Sequence, residues 1–430
     1  MARSTLLYST GGSNTAASGA GPTTAKTGTA AAHTFGAATT LITLTDFPTL
    51  SGVAVNDVLW LGTSLGTRHL SRVISADNAA KTVTVEDSFT IALGSPVDYA
   101  IGGKRLSMVG DSSRTDVEDA KAGWRFELEA GTHAWVSTLG VVPAVGDVTY
   151  GPVELVGASG STPVLTWTTD DPLLSLNANA HLRIHNLDVQ NTTSTADTAR
   201  VLRITANAGY YELSESLFKC AGSVLYTTNN NIGRIIGCDI ESTYNDGIVL
   251  ANRSVCTILK CVIHGCGVSK ATSGTGQGIS LTQESAGSMA AIVSCIIRDN
   301  YSSGISVHSN ETLVGNLILN NVFHDNGDYG IWFRDTMTER ARHVVANNLF
   351  TSNGAYGLAA NSSVGSDIAI WNDHNGYWDN LSGETDNITK GSSSVTVSDD
   401  PYRDAANDDY NLGTDAAGGE CRDVGYGYEG

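Results

Sequence analysis

No stretch of this sequence approaches the ~18 consecutive apolar residues of a membrane-spanning helix, and no basic stripe interrupts its acidity. Lysine and arginine number 25 against 44 aspartates and glutamates, for a net charge of −19. Nucleic-acid binders displace counterions with clustered cations, and an anionic membrane surface asks for the same, so neither partner is expected. Proline is scarce at 8 residues, which excludes a proline-rich or collagen-like chain. The 7 cysteines include no CxxC pair. Cys256, Cys261, His264 and Cys266 come nearest to a ligand set, but zinc spacing is missing. The thiols are read as buried and reduced, and neither a metal nor another cofactor is expected. The opening, Met1 to Gly12, lacks the apolar run of a secretory signal, so manufacture in a cytoplasm is the expectation.

Charged residues are few, at 16%, where about a quarter is usual. What is abundant is glycine, 47 residues, which suits many short strands joined by tight turns. Residues 1–40 are almost all Ala, Gly, Ser and Thr; no hydrophobic face can be drawn through them, so a flexible arm is expected. Residues 41–108 read differently. Leu41-Ile-Thr-Leu-Thr, Val58-Leu-Trp-Leu-Gly, Arg72-Val-Ile-Ser-Ala and Thr82-Val-Thr-Val are β runs separated by turn residues, which predicts a small antiparallel β domain.

From residue 109 to 380 the text repeats. Glu215-Ser216-Leu-Phe, Gly237-Cys238-Asp-Ile, Lys260-Cys261-Val-Ile, Ser294-Cys295-Ile-Ile, Asn320-Asn321-Val-Phe, Asn347-Asn348-Leu-Phe and Asn375-Gly-Tyr align. With Leu187 added in front, one column runs through Leu187, Ser216, Cys238, Cys261, Cys295, Asn321, Asn348 and Asn375. A second column runs in phase through Gly247, Gly278, Gly304, Gly330 and Gly357. A period of ~25 residues made of alternating short runs is too short for a propeller blade and lacks a leucine-rich consensus. It accommodates three short strands and three turns per coil, each strand pairing in parallel with its copy ~4.8 Å along the axis. The Ser/Cys/Asn column is then an inward stack with an amide ladder at Asn321, Asn348 and Asn375. The glycine column is read as a sharp bend. The long step from Cys261 to Cys295 carries an insertion over residues 267–277, which must loop outward. Residues 381–430 form a polar tail or cap.

The Asn-Asn-Val-Phe, Asn-Asn-Leu-Phe and Gly-Ile-x-Val/Phe strands resemble the right-handed parallel β-helix repeat of the pectate-lyase-like superfamily. The preceding Trp60-Leu-Gly, Val83-Thr-Val and Tyr99-Ala-Ile-Gly-Gly-Lys-Arg resemble the leading domain of tailed-bacteriophage virion proteins that carry a β-helix behind it. The resemblance implies an all-β fold and a place in a phage particle. A capsid cement or decoration protein is the leading expectation, contacting the major capsid protein and self-associating as a homotrimer. A tailspike that binds or cleaves host polysaccharide is the alternative, and a polysaccharide lyase a further one. A non-enzymatic role is favoured. Should the chain be an enzyme of the lyase or glycoside hydrolase type, Asp299 and Asp325 are the candidate carboxylates. They stand at the same place after the Cys/Asn column on consecutive coils, where stacking would raise one pKa. His324 would accompany them. Trp332 and Trp371 are candidate sugar platforms, and Arg298 and His264 candidate partners for an acidic sugar. Against this, Asp299-Asn300, Asp325-Asn326 and Ser352-Asn353 also read as plain turn residues. Asp335, Glu339 and Arg340 beside Arg334 read as a solvated loop.

Overall fold

The structure is a computed structural model. It describes residues 4–8, 26–35, 40–44, 53, 55, 57–61, 69–77, 79–86, 97–101, 109–111, 114–115, 123–135, 140–142, 152–191, 193–196, 198–205, 207–269, 275–282, 288–308, 315–334, 342–362, 369–413 and 419–421. The chain divides into two compact units, Met1–Gln190 and Asn191–Gly430.

Unit 1 contains a closed barrel. Its strands run, in barrel order, Lys26–Phe35, Thr40–Leu44, Thr82–Val85, His69–Asp77, Val58–Leu61 and Val97–Ile101, and the last pairs with the first. All pairings are antiparallel. Alternation puts Val58, Val73, Val83, Val85 and Ile101 inside with no exposure. The expected boundary at residue 40 is corrected by this arrangement: Lys26–Phe35 is a barrel strand. Its Ala/Thr side chains are small, and main-chain bonds to two neighbours hold it where no apolar pattern announces a strand. Ser4–Tyr8 likewise pairs in parallel with Trp124–Leu128, so the segment ahead of Leu41 is not a featureless arm. After the barrel, unit 1 winds the first coils of a parallel β-helix. Trp124, Phe126, Trp135 and Trp167 fill their interior.

Unit 2 continues the same three-faced plan. Face one holds Tyr210–Ser214, Ile232–Ile236, Val255–Leu259, Met289–Val293, Leu317–Leu319, Arg342–Ala346 and Ala369–Asp373. Face two holds Leu217–Cys220, Asp239–Ser242, Val262–His264, Ile296–Arg298, Val322–His324, Leu349–Thr351, Gly376–Trp378 and Val395–Thr396. Face three runs from Leu202–Ile204 through Ile248–Ala251 and Ile331–Phe333 to Gly383–Asp386. Each strand pairs in parallel with its counterpart one coil on. Pairing through Gly383–Asp386 and Val395–Thr396 carries the helix past the expected end at residue 380.

One residue turns face one into face two, and it adopts left-handed φ. Glu215, Gly237, Lys260, Ser294, Asn320, Asn347 and His374 lie at φ 47, 61, 53, 55, 56, 55 and 54°. The residue after each then points inward, so Ser216, Cys238, Cys261, Cys295, Asn321, Asn348 and Asn375 are all buried. The amide ladder is present: Asn321 Nδ2 donates to Asn348 Oδ1 at 3.0 Å and Asn348 Nδ2 to Asn375 Oδ1 at 3.2 Å. It joins the cysteines where Cys295 N donates to Asn321 Oδ1 at 2.9 Å. Burial raises the Cys220, Cys256, Cys266 and Cys295 thiols well above their ordinary pKa, so they pack as neutral groups. Inside face two, Phe323, Phe350 and Tyr377 stack at 5.0 and 5.2 Å between centroids.

The glycine column sits at the bend before each face-three strand, as expected at Gly247, Gly278, Gly304 and Gly330, and close approach adds a second reason for glycine there. A Cβ on Gly304 would lie 2.7 Å from Gly330 O, and one on Gly330 would lie 2.5 Å from Gly357 O. The next coil's carbonyl and a core ring leave room for hydrogen only.

Candidate functional site

Face-two strands send alternate side chains outward, and the register stacks Glu241, His264, Arg298, His324 and Thr351 one coil apart. Pairing runs along this column. Lys219 Nζ meets Glu241 Oε2 at 2.6 Å, and His264 Nε2 lies 2.8 Å from Asp239 Oδ1. Arg298 pairs with Asp299 next to it, and its Nη2 lies 2.9 Å from Asp408 Oδ1. His324 Nδ1 is hydrogen-bonded to Thr351 Oγ1 at 2.9 Å, and that hydroxyl meets Tyr402 OH at 2.8 Å.

A hairpin of Tyr402–Asp404 and Asp409–Leu412 covers this part of face two. Tyr402 and Tyr410 meet the His324 ring in T-shaped contacts at 5.5 and 5.3 Å. Arg298 lies 5.7 Å from the Tyr410 ring centroid. Burial pushes the His324 imidazole below its ordinary pKa, against the pull of Asp325, Asp299 and Asp400. His324 and Arg298 are thus anchors for the hairpin. The sequence shows the column but not its cover, because Tyr402 and Tyr410 lie several coils further along the chain.

Face two turns into face three through Asp299, Asp325 and Ser352, at φ 52, 48 and 53°. The following asparagines form a second ladder. Asn300 Nδ2 donates to Asn326 Oδ1 at 2.8 Å, Asn326 Nδ2 to Asn353 Oδ1 at 3.0 Å, and Asn353 Nδ2 to Asn380 Oδ1 at 2.8 Å. The turn reading of these pairs therefore holds for the first residue of each, while the second residue is a buried structural amide. The recurrence of asparagine at Asn300, Asn326, Asn353 and Asn380, once per coil, was the available signal.

Outside this corner lies a cleft of about 770 Å³, lined by Asp299, Asp325, Asp328, Tyr301, Trp332 and Arg334 among others. Three carboxylates thus come from two adjacent coils. Ser302 Oγ donates to Asp328 Oδ2 at 2.8 Å. Trp332 stacks on Tyr329 at 5.0 Å, and Arg334 lies 5.1 Å from the Trp332 ring centroid. Flat rings, carboxylate acceptors and a guanidinium donor together suit a hydroxylated ring. The cleft unites Asp299, Asp325 and Trp332 from the candidate set. It adds Tyr301 and Asp328, which the column alignment passes over because they follow the ladder asparagines. Arg334 joins it, while Asp335, Glu339 and Arg340 lie outside the described residues. Trp371 belongs to face one and is 56% exposed; His264 stays with Asp239. Among the described residues, no three His, Cys, Asp or Glu side chains are grouped to hold a metal ion.

A buried carboxylate of unit 2 also stands outside this cleft. Asp246 occupies the position before Gly247, and its Oδ1 accepts from Gly276 N at 2.8 Å and Gln277 N at 3.0 Å. Burial raises its pKa to about 6, with those amides and Arg334 acting against the rise.

A family model described as a right handed beta helix region matches residues 174–318 and 288–370. The chain is a right-handed parallel β-helix, preceded by a small antiparallel barrel. No curated protein matches it. Among solved structures it is similar to pectate lyase Pel9A, at 14% identity and TM-score 0.39, over 64% of this chain and 71% of that one. It is also similar to ORF18 of Geobacillus virus E2, at 13% identity and TM-score 0.36, over 63% of this chain and 56% of that one. A third is the A-module of the Azotobacter vinelandii mannuronan C-5 epimerase AlgE6, at 13% identity and TM-score 0.33, over 63% of this chain and 89% of that one.

Proposed function

We propose that the chain is a structural protein of a bacteriophage particle, a cement or decoration protein that binds the major capsid protein. The observation that carries this reading is the use made of the candidate chemical groups. Arg298 and His324 are spent on holding the hairpin through Asp408, Tyr402 and Tyr410. The most regular side-chain series, the two asparagine ladders, face inward. Such a molecule is built to be stiff. The separate barrel of unit 1 supports attachment, as does the sequence resemblance of that region to phage virion proteins. Electron microscopy of particles carrying a labelled chain tests it: density on the head lattice is expected. Density confined to the tail would sink the cement reading.

A second reading is favoured by the cleft at Asp299, Asp325, Asp328, Trp332 and Arg334. In it, the chain binds or cleaves a host surface polysaccharide. Incubation with host capsule or lipopolysaccharide, followed by binding and reducing-end assays, decides the matter. Binding lost in Trp332→Ala, or reducing ends lost in Asp325→Asn, would carry this reading. No binding and no release by the intact chain would end it.

A further inference from the structure

The outward side of face one differs in character between the two units. In unit 1 it bears an ion-pair ladder: Arg125 Nη1 lies 3.4 Å from Glu154 Oε2, and Arg183 Nη1 2.9 Å from Glu154 Oε1. In unit 2 the corresponding side is largely apolar, with Arg234 and Thr257 in its middle row and Glu212, Arg342 and Asp373 toward its ends. The register sets Ile232, Val255 and Met289 in one outward row. It sets Leu259, Val293 and Leu319 in another. Leu317, Val344 and Trp371 follow one another between these rows. Ile232, Val255, Met289, Leu317 and Trp371 are 45, 37, 44, 38 and 56% exposed. Contiguous apolar surface of this kind marks an interaction site.

We propose that this face binds the same face of a second copy of the chain. Charge is the first argument. The protein carries a net charge of −19, so two copies repel over most approaches. The five strands Ile232–Ile236, Val255–Leu259, Met289–Val293, Leu317–Leu319 and Arg342–Ala346 contain no Asp or Glu. Across these five strands two copies meet without opposing carboxylates; Arg234 and Arg342 lie among them, and Glu212 and Asp373 stand on the two flanking strands. Area is the second argument. The five strands with the flanking Tyr210–Ser214 and Ala369–Asp373, which carry Glu212 and Asp373 at the two ends, make a face on the order of 30 by 16 Å at ~4.8 Å spacing and ~3.3 Å per residue. That is on the order of 500 Å² in plan, and side-chain relief brings it toward the ~800 Å² each partner gives a standard interface. Periodicity is the third. Rows of aliphatic side chains one rung apart present ridges and grooves of a single spacing, which an identical ladder matches when two sheets pack face to face.

The inference goes beyond the particle reading and is tested on the free protein. The full chain is examined by sedimentation velocity from low to high micromolar concentration, beside Val255→Asp and, separately, Met289→Lys. Both positions point outward, so far-UV circular dichroism and the melting temperature serve as controls for folding. The intact chain is expected to sediment as a dimer, and each folded variant to shift at least tenfold toward monomer. A monomeric intact chain overturns the proposal. So does a folded variant that stays as associated as the parent, since that places the contact elsewhere or with a different partner. Should Val255→Asp unfold, Met289→Lys decides the same question.

Discussion

The Asn348 amide reaches Asn375 Oδ1, one coil further on, at 3.2 Å, while its own Oδ1 accepts from Asn321 Nδ2 at 3.0 Å and Asn321 N at 3.0 Å. Its Nδ2 also donates to Ile318 O at 2.9 Å. One side chain therefore satisfies the main chain and side chain of a neighbour and is satisfied in turn. Replacing it by leucine keeps the volume and leaves two buried donors of Asn321 without this acceptor. Asn348→Leu should cost at least about 2 kcal/mol. Urea denaturation measures this as a lowered midpoint with an unchanged slope, and an unchanged midpoint would contradict the ladder.

Two glycines at different corners should respond in opposite ways to a side chain. A Cβ at Gly330 would sit 2.5 Å from both Gly357 O and Phe350 Cδ1, so Gly330→Ala is expected to cost roughly 1–3 kcal/mol through overpacking. Gly237 has φ 61°, and its nearest contact would be Glu215 Cγ at 3.9 Å. Asn320 and Asn347 occupy the same corner at φ 56 and 55°. Gly237→Asn should therefore stay within about 0.5 kcal/mol of the parent, lost αL freedom being offset by a less flexible unfolded chain. Paired thermal melts of the two variants compare them directly.

The repeat was legible because identical environments recur each coil. Asn321, Asn348 and Asn375 announce an inward column by recurring at one constant step, and the structure places all three there. The second ladder was hidden in the same text. Asn300, Asn326 and Asn353 follow Asp or Ser, and Asp-Asn reads as a solvent turn until the burial of the second residue is known. The cleft was legible only in part: Asp299 and Asp325 follow from the column. Trp332 and Arg334 come from face three, and their meeting with the carboxylates depends on the angle of the corner. The hairpin cover over His324 was not legible, since nothing local to Val322-Phe-His324 predicts Tyr402 and Tyr410. The glycine column was placed correctly and its bend is present at Gly247, Gly278, Gly304 and Gly330, but the close approach of the next coil was not legible. Sequence period locates a small residue, whereas only the neighbouring coil's carbonyl shows why it must be small.

Two buried groups should give opposite pH slopes. Asp246 has its pKa raised from 3.8 to about 6 by burial. The folded state then holds more protons than the unfolded one between these values. Stability from this group is fully present below about pH 4 and is lost as pH rises through 6. His343 is pushed by burial from 6.5 to about 4, and its Nδ1 accepts from Asn316 N at 3.3 Å. Its contribution is present above about pH 6.5 and is lost as pH falls through 4. Each effect is on the order of 2–3 kcal/mol, so they largely cancel between pH 4 and 6. Asp246→Asn should gain stability at pH 7, lose that gain near pH 4, and so unmask acid sensitivity. His343→Gln should show the opposite slope. Denaturation midpoints from pH 4 to 7 measure both, and parallel curves for parent and variants would refute the assignment.

The hairpin should open without unfolding the coils. Its cluster of Val322, Leu349, Val397, Tyr402, Tyr410 and Cys421 lies on the outer side of face two, whereas Phe323, Phe350 and Tyr377 fill the inside. The two clusters are separated by a hydrogen-bonded sheet, so loss of the outer one leaves the inner one packed. Tyr402→Ala removes a buried ring and its bond to Thr351, at a cost of roughly 3–5 kcal/mol if the hairpin stayed in place. Detachment limits that cost, because the two short strands bring few contacts of their own. Hydrogen exchange should then show fast amides over residues 402–412 and bound hydrophobic dye at the uncovered Val322 and Leu349. The amides of Asn321, Asn348 and Asn375 should keep their protection. Loss of protection at those asparagines together with the hairpin would mean that the hairpin and the coils fold as one cooperative unit.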